Sequence, residues 1–232
     1  MTTNPRLILF FAAAFFFFML APAFLAYPFP PYPLMSWGDI VDMLTPLILI
    51  PLYWLLFTDA DRTDRPRVLD IVFLTFASLW ALGHGMHLAA NSIGNLLGQG
   101  DTPVHQLVHF LDEDMSHYLW HIAIIGLSIL ILIPPRRREV GVGGVPWPLI
   151  IVSAALYGFT YFAAIIEGGT VPLGLLAAIL ITLILLIAAR SSIRSNSMTS
   201  FFFLGYALAI LLCGLWYAYW GGFPEFSEIG LI

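Results

Sequence analysis

The sequence predicts an all-α, polytopic membrane protein with seven transmembrane helices, and three observations carry that prediction. The chain of 232 residues is 60% hydrophobic and only 10% charged. Its mean hydropathy of +0.91 comes from apolar runs of about 20 residues each, the length a helix needs to cross a bilayer core. Basic residues punctuate those runs at intervals. There is no lysine, and the nine arginines are Arg6, Arg62, Arg65, Arg67, Arg136, Arg137, Arg138, Arg190 and Arg194.

The first span covers residues 7–26 and stops at the Pro-rich stretch 27–33. Arg6, the Phe-rich run and the small residues Ala21, Ala23 and Ala26 also give it the outline of a secretory signal peptide, although a retained helix is expected. The second span, 39–57, contains Pro46 and Pro51, which should bend it and leave carbonyls in need of partners. The third and fourth, 68–97 and 104–133, form a hairpin around the tight turn 98–103. The fifth, 148–166, follows a Pro/Gly-rich connection, the sixth is 171–189, and a Ser/Asn segment leads to the seventh, 201–220. Residues 1–232 read as one helical domain.

Every arginine lies on alternate connections. Short arginine-rich loops stay in the cytoplasm, so the N-terminus is expected inside and the C-terminus outside, in a prokaryotic cytoplasmic membrane. Asp59, Asp61, Asp64 and Asp70 fall on the cytoplasmic side and are expected to pair with Arg62, Arg65 and Arg67. Without lysine no retinal Schiff base can form. The single Cys213 excludes an intramolecular disulfide and a CxxC metal site. Expected partners are membrane lipid, a lipid-like substrate and other membrane proteins, not nucleic acid.

All six histidines fall in the hairpin 68–133. On the third span His84, His87, Asn91 and Asn95 share roughly 80° of arc at 100° per residue, a polar stripe that must face protein or water. Gly83 and Gly85 flank His84 and would let a neighbouring helix or a ligand come close. On the fourth span His105, His109, Glu113, His117 and His121 step by four. The row therefore winds around the helix and divides: His105, His109, Asp112 and Ser116 near the outer end, and Glu113, His117 and His121 further in. Counting from the opposite helix ends puts His84, His87, His117 and His121 at similar height in the outer leaflet.

Imidazoles at i,i+3 and i,i+4 present ring nitrogens to a common point. His84, His87, His117 and His121, with His105 and His109 above them, are accordingly candidate ligands of zinc, iron or copper. Glu113 or Asp112 would handle protons, and Asn91 and Ser116 would orient substrate or water. Glu167, Glu225 and Glu228 lie on the same side, while Asp42 either caps the second span or lines a path. The boxes HGMH, HQLVH and HYLWH resemble in kind those of membrane desaturases and hydroxylases, although no HxxHH occurs. The seven-helix zinc site of alkaline ceramidases and adiponectin-type receptors is similar too, but this chain has no histidine after His121. Neither likeness assigns a family.

The function expected is a metal-dependent hydrolase or oxidoreductase acting on a lipid or apolar substrate. Alternatives are a metal-ion or proton transporter, a b-type haem protein and an accessory subunit. Transport would need polar residues in the inner halves of the spans, and residues 122–133 are almost wholly apolar. The topology is directly testable. A reporter active only outside the cytoplasm, fused after Ile232, should be active, and a cytoplasm-dependent reporter at the same place should be silent.

Overall fold

The computed structural model describes residues 4–59, 66–97, 100, 102–133 and 145–231. The expectations for Arg62, Arg65, Arg136, Arg137, Arg138, Asp61 and Asp64 lie outside the described residues. Within them the protein is helical, with seven helices long and apolar enough to cross a membrane. Helix α1 is Pro5–Leu20, continued by a tight 3-10 turn, Ala21–Phe24. Then come α2, Trp37–Thr58, and α3, Arg67–Leu97. Helix α4 runs Pro103–Leu132, α5 Trp147–Glu167, α6 Val171–Ala188 and α7 Ser197–Trp220.

Side-chain oxygens set several helix starts, satisfying N–H groups that have no intrahelical acceptor. Asn4 accepts from Arg6 N, Thr102 from His105 N, and Asn196 from Met198 N and Thr199 N. Ser36 and Asp39 form a reciprocal capping box at the start of α2. Gly221, at φ +71°, ends α7 in the left-handed region that glycine adopts without strain. Asp59 accepts a hydrogen bond from Asn4 N at 2.8 Å.

The lower half of α4 and most of α5 form the centre, while α6 shows Ile184 and Ile187 outward. Large apolar side chains are exposed on every helix, as expected where the surrounding solvent is hydrocarbon. Small residues fix the tightest crossing: a Cβ on Gly158 of α5 would overlap the carbonyl oxygen of Gly205 on α7. Helix α1 packs into the same core, with the Phe11 ring 4.7 Å from Tyr53 and the Phe15 ring 4.9 Å from Tyr157. Cys213 is buried in α7.

The half of α4 that reads as apolar holds one consequential exception. Ser128 bonds Tyr157 at 3.1 Å and lies 3.4 Å from the Tyr53 hydroxyl, and Tyr157 bonds Tyr206 at 3.1 Å. This row of buried hydroxyls ties α2, α4, α5 and α7 together. Each such bond contributes about 1 kcal/mol in a lipid-embedded bundle. Because overpacking a close crossing costs about 1–3 kcal/mol, Gly158→Ala should lower the melting temperature in detergent. Gly85→Ala, which meets nothing within 4 Å, should leave it unchanged in the same circular-dichroism melt.

Candidate functional site

Two backbone features place the histidine hairpin. At Gly83 a Cβ would come within 2.8 Å of the Ser116 carbonyl and 3.0 Å of Trp120 N, so α3 lies directly against α4. Gly83 is thus a packing glycine, whereas Gly85 faces open space. Within α4, Phe110–Ser116 is wound as a π-helix, the looser i→i+5 geometry that recurs at functional sites. Asp112 of this stretch and His117 just after it both lie against His87 of α3. Ser116 is fully buried and bonds the Asp112 carbonyl, so its hydroxyl braces this stretch and does not line the cavity.

The histidines meet carboxylates in pairs. His84 Nε2 lies 2.9 Å from Asp42 Oδ1 of α2, and His87 Nδ1 lies 2.7 Å from Asp112 Oδ1. The second contact is off the hydrogen-bonding line, and neither atom gains a partner from it. His117 Nδ1 is 3.7 Å from Glu113 Oε2, beyond hydrogen-bond range. The rings of His87 and His117 are 4.9 Å apart, and those of His84 and His87 6.4 Å. Buried ring nitrogens therefore remain without hydrogen-bond partners: Nδ1 of His84, His87 and His117 at the cavity, and Nδ1 of His105 outside it. The indole N–H of Trp120 is also unpartnered.

These groups open onto a cavity of about 660 Å³. One wall is polar, built by Asp39, Asp42, His84, His87, Glu113 and His117 with Asn91 and Asn95 above. The facing elements are apolar: the end of α1 and the α1–α2 connection contribute Met19, Pro22, Ala26, Leu34 and Met35. Pro46 leaves the Asp42 carbonyl without its usual i+4 donor, and Asp42 sits in this polar wall.

Residues following α7 fold back over the opening. Glu167 Oε2 accepts from Phe226 N at 2.7 Å and Ser227 N at 3.3 Å. The Trp216 indole donates to the Pro224 carbonyl at 3.1 Å. Glu225 and Ser227 thereby join the cavity lining, and Glu228 accepts from Glu225 N at 3.0 Å.

The structure thus brings His84, His87, His117, Glu113, Asn91 and Glu167 to one cavity, with Asp112 buried behind His87. It places His121 elsewhere. Its Nδ1 faces the His117 carbonyl at 2.8 Å, the Thr170 hydroxyl lies 3.1 Å from Nδ1 and 3.4 Å from Nε2, and its ring stacks on Trp120 at 3.7 Å. His105 and His109 lie in the first turns of α4 outside the cavity lining, His109 exposed. Sequence reasoning left Asp42 undecided between cap and path, and it did not find Asp39 or the wall supplied by the α1–α2 connection. Only the aspartate spacing Asp39/Asp42, i,i+3 at the N-terminal end of an apolar span, signals them.

Among the described residues, no three His, Cys, Asp or Glu side chains are placed so as to close on one metal ion. No family model, curated protein or solved structure matches this chain, so the chemistry of the cavity is the ground for a functional reading.

Outside the spans, one carboxyl is perturbed. Partial burial, with Glu113, Glu167 and Glu228 nearby, pushes Glu225 from its ordinary 4.5 up to about 7. The folded protein then holds a proton that the unfolded chain has released, so stability is lost as pH rises from about 4.5 to about 7. The side chain is partly exposed and solvent screens the effect. Protection of the 224–231 segment from a protease should fall as pH rises through that window, and Glu225→Gln should flatten the dependence.

Proposed function

We propose that the cavity is the active site of a metal-dependent membrane enzyme, with His84, His87 and His117 holding zinc, iron or copper and a lipid or other apolar substrate as the reactant. The observation that supports it is the set of buried ring nitrogens at the cavity, Nδ1 of His84 and His117 without a hydrogen-bond partner and Nδ1 of His87 against the Asp112 carboxylate. A buried polar atom without a partner costs about 1–3 kcal/mol, and in folded proteins such an atom calls for water, an ion or a catalytic role. His84 fits a ligand's chemistry most closely. Asp42 accepts the Nε2 proton, which leaves the lone pair on Nδ1, the carboxylate–histidine arrangement that orients metal-binding imidazoles. As they stand, the three rings do not close on one ion, and binding requires them to move together.

Such an ion would supply Lewis acidity and a water ionised near neutral pH. Glu113, beside His117 and facing the cavity, takes the proton of the attacking water. The amides of Asn91 and Asn95, joined at 3.2 Å, orient the polar end of the substrate. Its apolar body lies along Met19, Pro22 and Leu34. Leu34 is 59% exposed, and Phe24, Tyr27 and Tyr32 of the same connection are exposed too, giving a lipid-facing entrance beside the cavity. The arginine distribution supports an outward-facing pocket.

A proton-transport reading draws on the buried hydroxyl row. His121 and Ser128 are two turns apart on α4, about 10 Å, and no hydrogen bond among the described residues bridges them. The enzyme reading therefore stands first.

Elemental analysis of purified protein should find a transition metal in stoichiometric amount. His84→Ala and His117→Ala should remove it, His121→Ala should retain it, and Asp42→Asn should weaken its binding about 10–100-fold. Metal-free wild-type protein, or undiminished metal in both alanine variants, would overturn the proposal.

A further inference from the structure

We infer that the indole N–H of Trp120 holds the carbonyl oxygen of the substrate, which makes the reactant an acyl lipid, an ester or amide, and the reaction its hydrolysis. This deepens the reading of the cavity as a substrate site and rests on it, but on no group's state of protonation. The whole polar lining enters the comparison. Asp39, Asp42, Glu113, Glu167 and Glu225 offer acceptors, while Ser36, Asn91, Asn95 and Trp120 offer donors. The histidine Nδ1 atoms are already assigned to the ion of the proposed function.

Three of the four donors are engaged or reached by solvent. Asn95 Nδ2 donates to Asn91 Oδ1 at 3.2 Å, and Ser36 sits at the α2 cap, its Oγ accepting from Asp39 N at 3.0 Å. Asn91 and Ser36 are half-buried and Asn95 is exposed, so water satisfies the hydrogens they have left. Trp120 differs. It is 6% exposed, and its indole nitrogen, which can only donate, has no acceptor among the described residues. A buried donor left unmade costs about 1–3 kcal/mol.

The neighbours of Trp120 hold the ring in place. It stacks on His121 at 3.7 Å, and His121 is itself held between the His117 carbonyl at 2.8 Å and the Thr170 hydroxyl at 3.1 Å. Gly83 packs against the Trp120 backbone. The indole also stands edge to face with the rings of His117 and His84, at 5.8 and 6.2 Å. An oxygen bound to it therefore lies beside the two imidazoles of the proposed centre.

A bare alkyl chain would leave this hydrogen facing hydrocarbon. The group that reaches it must bring an acceptor oxygen past the apolar wall of Met19, Pro22 and Leu34, and a carbonyl is the acceptor that also presents a carbon to water. In the reaction the water oxygen bonds to that carbon and the acyl C–O or C–N bond breaks. One water proton leaves on the alcohol or amine, and the other stays on the acid. No oxidant is consumed, whereas oxidation of a C–H bond requires one. As the carbon becomes tetrahedral its oxygen gains negative charge, and the bond from Trp120 strengthens, as at an oxyanion hole.

The test uses the full chain in neutral detergent with methyl undecyl ketone, whose carbonyl resembles an acyl group and is not hydrolysed. Infrared difference spectra between carbon-13-labelled and unlabelled ketone isolate the carbonyl stretch, and metal content is measured on the same samples. Bound ketone should show a band shifted to lower wavenumber than in protein-free micelles. Trp120→Phe, which keeps a ring against His121, should retain the metal, lose the shifted band and weaken the ketone about fivefold. Trp80→Phe removes a buried, unpartnered indole outside the lining and should leave the band unchanged. Displacing the ketone should take about fivefold more tridecane than unlabelled ketone. Absence of a shifted band in wild-type protein, its persistence in Trp120→Phe, or equal displacement by tridecane overturns the inference, even where the metal is present. A Trp120-dependent band in protein that proves metal-free upholds the carbonyl assignment and removes the metal from the proposed function.

Discussion

The contact of α3 with α4 at Gly83 is the constraint on which the polar half of this bundle depends. Hydrocarbon offers no partner to an imidazole, so histidines on two adjacent helices must find their partners across the seam. With hydrogen as the side chain of residue 83, α3 lies against the Ser116 carbonyl and the Trp120 amide. His87 then reaches Asp112, and His117 comes within ring contact of His87. Any side chain at 83 would force the two helices apart and separate the pairs together. Helix α2 adds Asp42 from the other side, so one carboxylate fixes His84 while another sits behind His87.

The two ends of the bundle are organised differently. Away from the cavity, Tyr53, Ser128, Tyr157 and Tyr206 satisfy one another among Phe11, Phe15, Phe201 and Phe202. At the cavity, polar atoms are buried and left open. The first arrangement holds four helices in one geometry, and the second stores unsatisfied valence that a ligand can use. The hydroxyl row braces the bundle below the cleft, although the buried Trp80 indole beside Tyr53 has no hydrogen-bond partner.

Much of this was legible in the chain. Long apolar runs gave all seven helices, because length and hydropathy are properties of a segment alone. The restriction of histidine to one hairpin located the cavity for the same reason. What escaped depends on departures from ideal winding or on distant segments. A 100° step grouped His121 with His117, and the two do follow one another in regular helix, but Thr170 from the α5–α6 turn and the Trp120 ring capture His121 away from the cavity. Asp42 is 42 residues from the ring it holds, and nothing in local spacing links the two. The apolar wall of the α1–α2 connection reads in sequence only as a Pro-rich stop.

Glu167 and its hold on Phe226 and Ser227 bear on the order in which the protein is made. The walls of the cleft come from the first five helices, but its covering strap is translated only after α7. Until that strap emerges from the ribosome and docks, the cleft lacks Glu225 and Ser227, so its lining is complete only once this late segment has folded back onto Glu167.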